Sequence, residues 1–217
     1  MPKRALVEHR PWLLLSLASA VAYYFLADNP LGDTWKILLK GGACMALALY
    51  AWQRHDSADA KLIALYLFLC SLADMALQLW FEIGGGLFFA AHLATLSLYL
   101  RNRRKHIAAS QKLFAGALLV LTPIISWLLS GEPAVGLYGL ALGAMAAGAW
   151  ASRFPRYRVG AGAVLFVVSD FLIFARLGGN LEAVADLLVW PVYYSAQFLI
   201  ATGVIRTLRG ELKASTD

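Results

Sequence analysis

With 217 residues, 60% of them hydrophobic and 15% charged, the chain holds far less charge than the roughly 25% of a soluble domain, which excludes a water-soluble globular fold. Its net charge of +6 comes from short basic clusters between apolar runs, so there is no continuous basic face for a nucleic acid. Cys44 and Cys70 lie inside apolar runs without ligand spacing, which argues against a disulfide framework or a zinc site.

Eight apolar runs follow one another at about 12–27, 34–52, 62–80, 85–100, 113–129, 133–151, 159–175 and 184–205. A spanning helix needs about 17–25 residues, so eight spans with short loops consume the chain and leave a single integral membrane domain, 1–217. The predicted fold is all-α, with eight transmembrane helices. Basic residues fall mostly in alternate loops, 16 of the 19 Lys and Arg lying on one side. The positive-inside rule then places both termini in the cytoplasm, as expected in a bacterial inner membrane.

The first run follows Lys3, Arg4 and Arg10 like a secretory leader, but no small-residue cleavage site follows 24–28, and a retained helix is expected. The second opens with Lys36 and Lys40 one turn apart. Lys36 is expected to snorkel to the interface; Lys40 lies deeper, where a polar partner or a lipid phosphate competes with snorkelling. In the third run Ser71, Asp74 and Gln78 share a stripe, which predicts a face turned to protein or a watery cavity. His92 interrupts the fourth run. Pro123 predicts a bend in the fifth. Gly139, Gly143 and Ala147, spaced by four in the sixth, predict close helix packing within one chain. Ser169 and Asp170 stand in the seventh run; Trp190, Tyr193, Tyr194 and Gln197 form a polar-tipped aromatic face in the eighth.

Three segments recur about a hundred residues apart: LFLCSLADMAL with VLFVVSDFLIF, FFAAHL with YYSAQF, and GGACMALALYAW with LGAMAAGAW. They predict two four-helix repeats, 12–105 and 112–208, in parallel orientation, with Asp74 opposite Asp170 and His92 opposite Gln197. At 1.5 Å per residue, Asp74, Asp170 and Lys40 would each lie roughly 9 Å below a helix end, with His92 and Gln197 a little deeper. An ionisable residue in lipid costs roughly 2.5–3.5 kcal/mol even on gentle scales, so such a layer reads as a site.

An Asp late in the third helix, a Gly-rich turn, Phe and His in the fourth, Ser-Asp in the seventh and Tyr-x-x-Gln in the eighth together resemble the lysoplasmalogenase family of polytopic membrane proteins. The resemblance runs from Lys40 to Ile205; Ala73 and Gly41 stand where that family usually has Gly and Pro. It implies hydrolysis of the vinyl ether of a lysoplasmalogen to a fatty aldehyde and a glycerophospho-base. Such a reaction needs one carboxylic acid to protonate carbon and one carboxylate to steady the cation and orient water, as in glycosidases, and no metal or cofactor. On this reading Asp74 and Asp170 are the pair, with the choice of acid open, and His92 tunes them or relays a proton. Tyr194 and Gln197 hold water or glycerol oxygens, Lys40 binds the phosphate, and Ser169 and Gln78 line the substrate site. The expected partners are a lysophospholipid and membrane lipid. The same polar residues also fit a proton-coupled transporter or a lipid-binding protein without turnover. Oligomeric state is not legible.

Overall fold

The computed structural model describes residues 10–26 and 32–214, so the leader-like N-terminal residues and the segment read for a cleavage site lie largely outside the described residues. Among the described residues the chain is all helical: α1 (Arg10–Leu26), α2 (Asp33–Arg54), α3 (Ala58–Ala76), α4 (Phe81–Arg101), α5 (Ala109–Ser130), α6 (Pro133–Ala151), a π-helical turn (Arg156–Gly160), α7 (Ala161–Leu177) and α8 (Glu182–Ala214). Five of these are long and apolar enough to cross a bilayer: α4, α5, α6, α7 with its π turn, and α8. The chain is a helical, multi-pass membrane protein.

The described helices fall into two compact units, one drawn from within 1–91 and 205–217, the other from 92–204. That border falls inside α4, whereas the sequence similarity divides the chain between 105 and 112.

In the first unit, small residues and serines bring α1, α2 and α3 together. Ser16 Oγ donates to the Ala43 carbonyl at 2.8 Å, and Ser71 Oγ to the Gly41 carbonyl at 2.8 Å. Gly41 allows a close approach to α3: a Cβ there would run into the Met75 side chain, which would have to shift. Ser57 caps α3, its side chain accepting from the Ala60 N–H.

The end of α3 departs from the sequence reading. The Leu79 N–H reaches back only to Ala76 and the Gln78 N–H only to Met75, a tightening that closes the helix at Ala76 although apolar residues continue to Trp80. Gln78 therefore sits in the turn, exposed, and not on the buried stripe of Ser71 and Asp74. Asp74 lies about 3 Å from the end of α3, measured along the helix, not the 9 Å expected.

In the second unit α5 and α6 pack closely. A Cβ on Gly139 would lie 2.9 Å from Pro123 Cα, and one on Gly143 2.7 Å from the Leu118 carbonyl oxygen. The small-residue spacing thus serves packing within one chain, as its period predicted. α5 continues as helix through Pro123 and ends at Gly131, whose φ of 73° lets its N–H return to the Trp127 carbonyl at 2.8 Å. On the other side of α7, Gly162 admits α8: a Cβ there would lie 2.9 Å from the Ala196 carbonyl oxygen.

Candidate functional site

The packing of α4, α6 and α7 in the second unit brings three polar side chains into one line. Tyr138 of α6 donates its hydroxyl proton to Asp170 Oδ2 of α7 at 2.8 Å, and His92 Nε2 of α4 lies 3.0 Å from the same hydroxyl. Because the Tyr138 proton points to the carboxylate, its oxygen is left to accept, which calls for the His92 tautomer with a proton on Nε2. His92 and Asp170 are buried. Buried polar groups joined side chain to side chain hold each other in one geometry, because any member that turns away leaves a partner unsatisfied.

Aromatic rings wall this line. His92 meets Phe166 edge-on at 4.9 Å between ring centres, Phe166 meets Tyr193 at 5.2 Å, and Tyr138 meets Phe174 at 5.7 Å. Along α8, Trp190 stacks on Tyr194 at 6.2 Å. Such a wall excludes bulk water and gives an alkyl chain an apolar surface.

One turn beyond Tyr193 stands Gln197, wholly buried, with neither its amide nitrogen nor its amide oxygen hydrogen-bonded. Leaving a buried amide unpaired costs about 1–3 kcal/mol, so a Gln kept in this state needs a bound water or ligand to complete it.

The other residues named from sequence take distinct places. Ser169 donates to the Val189 carbonyl at 3.2 Å, fastening α7 to α8. Tyr194 is buried within the aromatic wall. In the first unit, Asp74 is buried at the C-terminal end of α3, and Lys40 of α2 holds its ammonium 5.8 Å from the centre of the Tyr23 ring of α1, a cation–π contact. Lys36 pairs with Asp33 at 3.8 Å across one turn, in keeping with an interfacial position. Measured along their own helices, Lys40 lies about 10 Å and His92 about 16 Å from the N-terminal ends of α2 and α4, and Gln197 about 22 Å from that of α8; equal depths do not follow from the helix ends.

Tyr138 was not legible as a site residue. A tyrosine in GLYGLALGAMAAG counts as one more apolar residue. Its signal is that of a single hydroxyl in a helix face otherwise built of Gly, Ala and Leu, where a phenol needs a partner.

Comparison with known proteins agrees with the resemblance read from the residues. No curated protein and no solved structure matches the chain. A family model does match, that of the YhhN family, over residues 35–204, a stretch that contains Lys40, Asp74, His92, Asp170, Tyr194 and Gln197. That match covers well over half of the sequence, and the chain belongs to the YhhN family, which includes lysoplasmalogenases.

Proposed function

We infer that the protein is a membrane ether hydrolase that cleaves the vinyl ether of a lysoplasmalogen, releasing a fatty aldehyde and glycerophosphocholine or glycerophosphoethanolamine. The observation that carries this reading is the line His92–Tyr138–Asp170, buried at both ends, in a unit that also holds the unsatisfied Gln197 amide, in a chain of a family that includes such enzymes.

The chemistry needs a proton on the β carbon of the vinyl ether, which leaves an oxocarbenium ion at the carbon bonded to oxygen. Water adds to that carbon and loses a proton, and the hemiacetal collapses to aldehyde and free glycerol hydroxyl. Asp170 accepts a hydrogen bond at Oδ2 and is assigned, as carboxylate, the role of steadying the cation and taking the proton of water. Tyr138 fixes that carboxylate and His92 fixes Tyr138. Gln197 supplies a donor and an acceptor for the attacking water or a glycerol oxygen. The acid role goes to Asp74 on chemical grounds, as the other buried carboxyl among the named residues. Lys40 is assigned the lipid phosphate. The eight helices span a bacterial cytoplasmic membrane with both termini inside.

Purified protein in detergent, given a vinyl-ether lysolipid, should release aldehyde, and given the saturated ether analogue should release none. No aldehyde from either substrate overturns the reading. A chain of imidazole, phenol and carboxylate also suits proton coupling in a transporter, the reading that gains if no aldehyde forms.

A further inference from the structure

The second unit carries a polar construction that the proposed hydrolysis does not use. The loop after α4 and the loop after α6 are joined by backbone: Arg103 and Ser152 form an antiparallel bridge, the Arg104 N–H donates to the Ala151 carbonyl at 3.1 Å, and the Arg153 N–H to the Asn102 carbonyl at 2.8 Å. Asn102, buried, anchors the junction by donating to the Leu98 carbonyl at 2.9 Å. The joined loops hold Arg101, Arg103, Arg104, Arg153, Arg156 and Arg158. Between Arg101 and Ser169 the sequence has one acidic residue, Glu132, at the far ends of α5 and α6.

Like charges are thus gathered on rigid backbone. The Arg104 guanidinium, held by the Phe154 carbonyl at 3.2 Å, is pushed below its ordinary pKa first by burial and then by the charge of Arg156. Arg156 Nε is buried without an acceptor, and so is the indole N–H of Trp150. Both side chains flank Gly160: a Cβ there would lie 2.9 Å from Trp150 Cε3 and 3.6 Å from Arg156 Cβ. Two mutually repelling guanidiniums, one of them with a buried Nε lacking an acceptor, call for an anion with several acceptor oxygens.

We propose that the joined loops around Arg104 and Arg156 bind the phosphodiester headgroup of an anionic phospholipid. A lipid fits better than free phosphate because the surface next to the arginines is apolar. Leu113 and Phe114, in the first turns of α5, are exposed, Phe114 rests on the Trp150 ring at 4.5 Å between centres, and Tyr157, between Arg156 and Arg158, is 91% exposed. A headgroup on the arginines would thus have its acyl chains beside exposed apolar residues, with Tyr157 at the interface. The site is separate from the one above: Arg158 and Asp170 are 12 positions apart, about 18 Å of helix.

The test is native mass spectrometry of the full chain in detergent with phosphatidylglycerol or phosphatidylcholine added. Retention of phosphatidylglycerol is expected to exceed that of phosphatidylcholine about tenfold, and Arg104→Gln with Arg156→Gln to abolish the difference, while the charge-matched pair Lys61→Gln with Arg206→Gln preserves it. Arg156→Lys keeps the charge but loses Nε and the planar fork, so a built site predicts roughly threefold weaker retention where diffuse attraction predicts no change. Unaltered retention in Arg156→Lys, equal retention of the two lipids, or displacement of lipid by about 10 mM inorganic phosphate each overturns the proposal.

Discussion

In the first unit the hydroxyls of Ser16 and Ser71 end on backbone carbonyls of α2, whereas in the second the hydroxyl of Tyr138 ends on a carboxylate and is approached by an imidazole. The backbone carbonyls that take the serines exist wherever a helix passes, so such bonds fix how close two helices lie and place no demand on the partner's side chain. A side chain bonded to a side chain needs both residues, at one register, on two helices. Polar side chains therefore fasten helix to helix in one place and hold one another in register in the other. The Ser169 bond to Val189 shows that the distinction runs by partner and not by unit: beside Asp170, it too is a fastening.

The largest effect that this contrast predicts is at Asp170. Asp170→Asn should lower aldehyde release by about 10²–10⁴-fold, the usual share of a general acid or base, with the protein still eluting as a monodisperse species. Asp74→Asn should do the same if it is the acid; near-normal turnover in either variant refutes a mechanism with two carboxyls. Tyr138→Phe takes the hydroxyl from both Asp170 and His92 and should cost about 10- to 100-fold in kcat, together with a fall in melting temperature for the lost hydrogen bonds. A loss of stability without loss of rate would return Tyr138 to the class of Ser16 and Ser71.

Much of this arrangement is legible before folding, for a physical reason. In lipid every backbone group must be satisfied within its own helix, so each long apolar run has one available structure, and α1 to α8 answer the eight runs in order. Asp170 and His92 were legible because a charge-bearing residue in such a run is conspicuous. Gly139 and Gly143 were legible because a period of four places them on one face. What hid was whatever depends on a neighbour's backbone. α3 ends at Ala76 through a tightened turn that apolar Leu77 to Trp80 conceal, and this moves Gln78 from the stripe to the surface. The bond from Ser169 to Val189 and the π turn before α7 leave no trace in residue type, and Tyr138 passes for a hydrophobe.

Gln197 sharpens the contrast from the other direction, since its amide has no partner at all. Gln197→Met removes an unsatisfied buried amide with little change in volume, so thermal unfolding in detergent should show about 1–2 kcal/mol of added stability. If the amide holds water for the reaction, the same variant should lose roughly tenfold in kcat; a protein both more stable and fully active would mean that the amide serves no substrate.

The smallest effect belongs to the fastening class. Ser71→Ala takes away the donor to the Gly41 carbonyl, but that carbonyl lies within α2 and keeps its place in the helix ladder, so no acceptor is stranded. Hydrogen bonds between membrane helices average about 0.6 kcal/mol, and the expected loss is of that order, read as a slight fall in melting temperature at unchanged kcat. Gly41 and Met75 hold α2 and α3 close by shape alone, the reason for expecting so little. A rate that fell by tenfold in Ser71→Ala would show that the approach of α2 to α3 positions Asp74, one turn along from Ser71, and would move this serine from packing into catalysis.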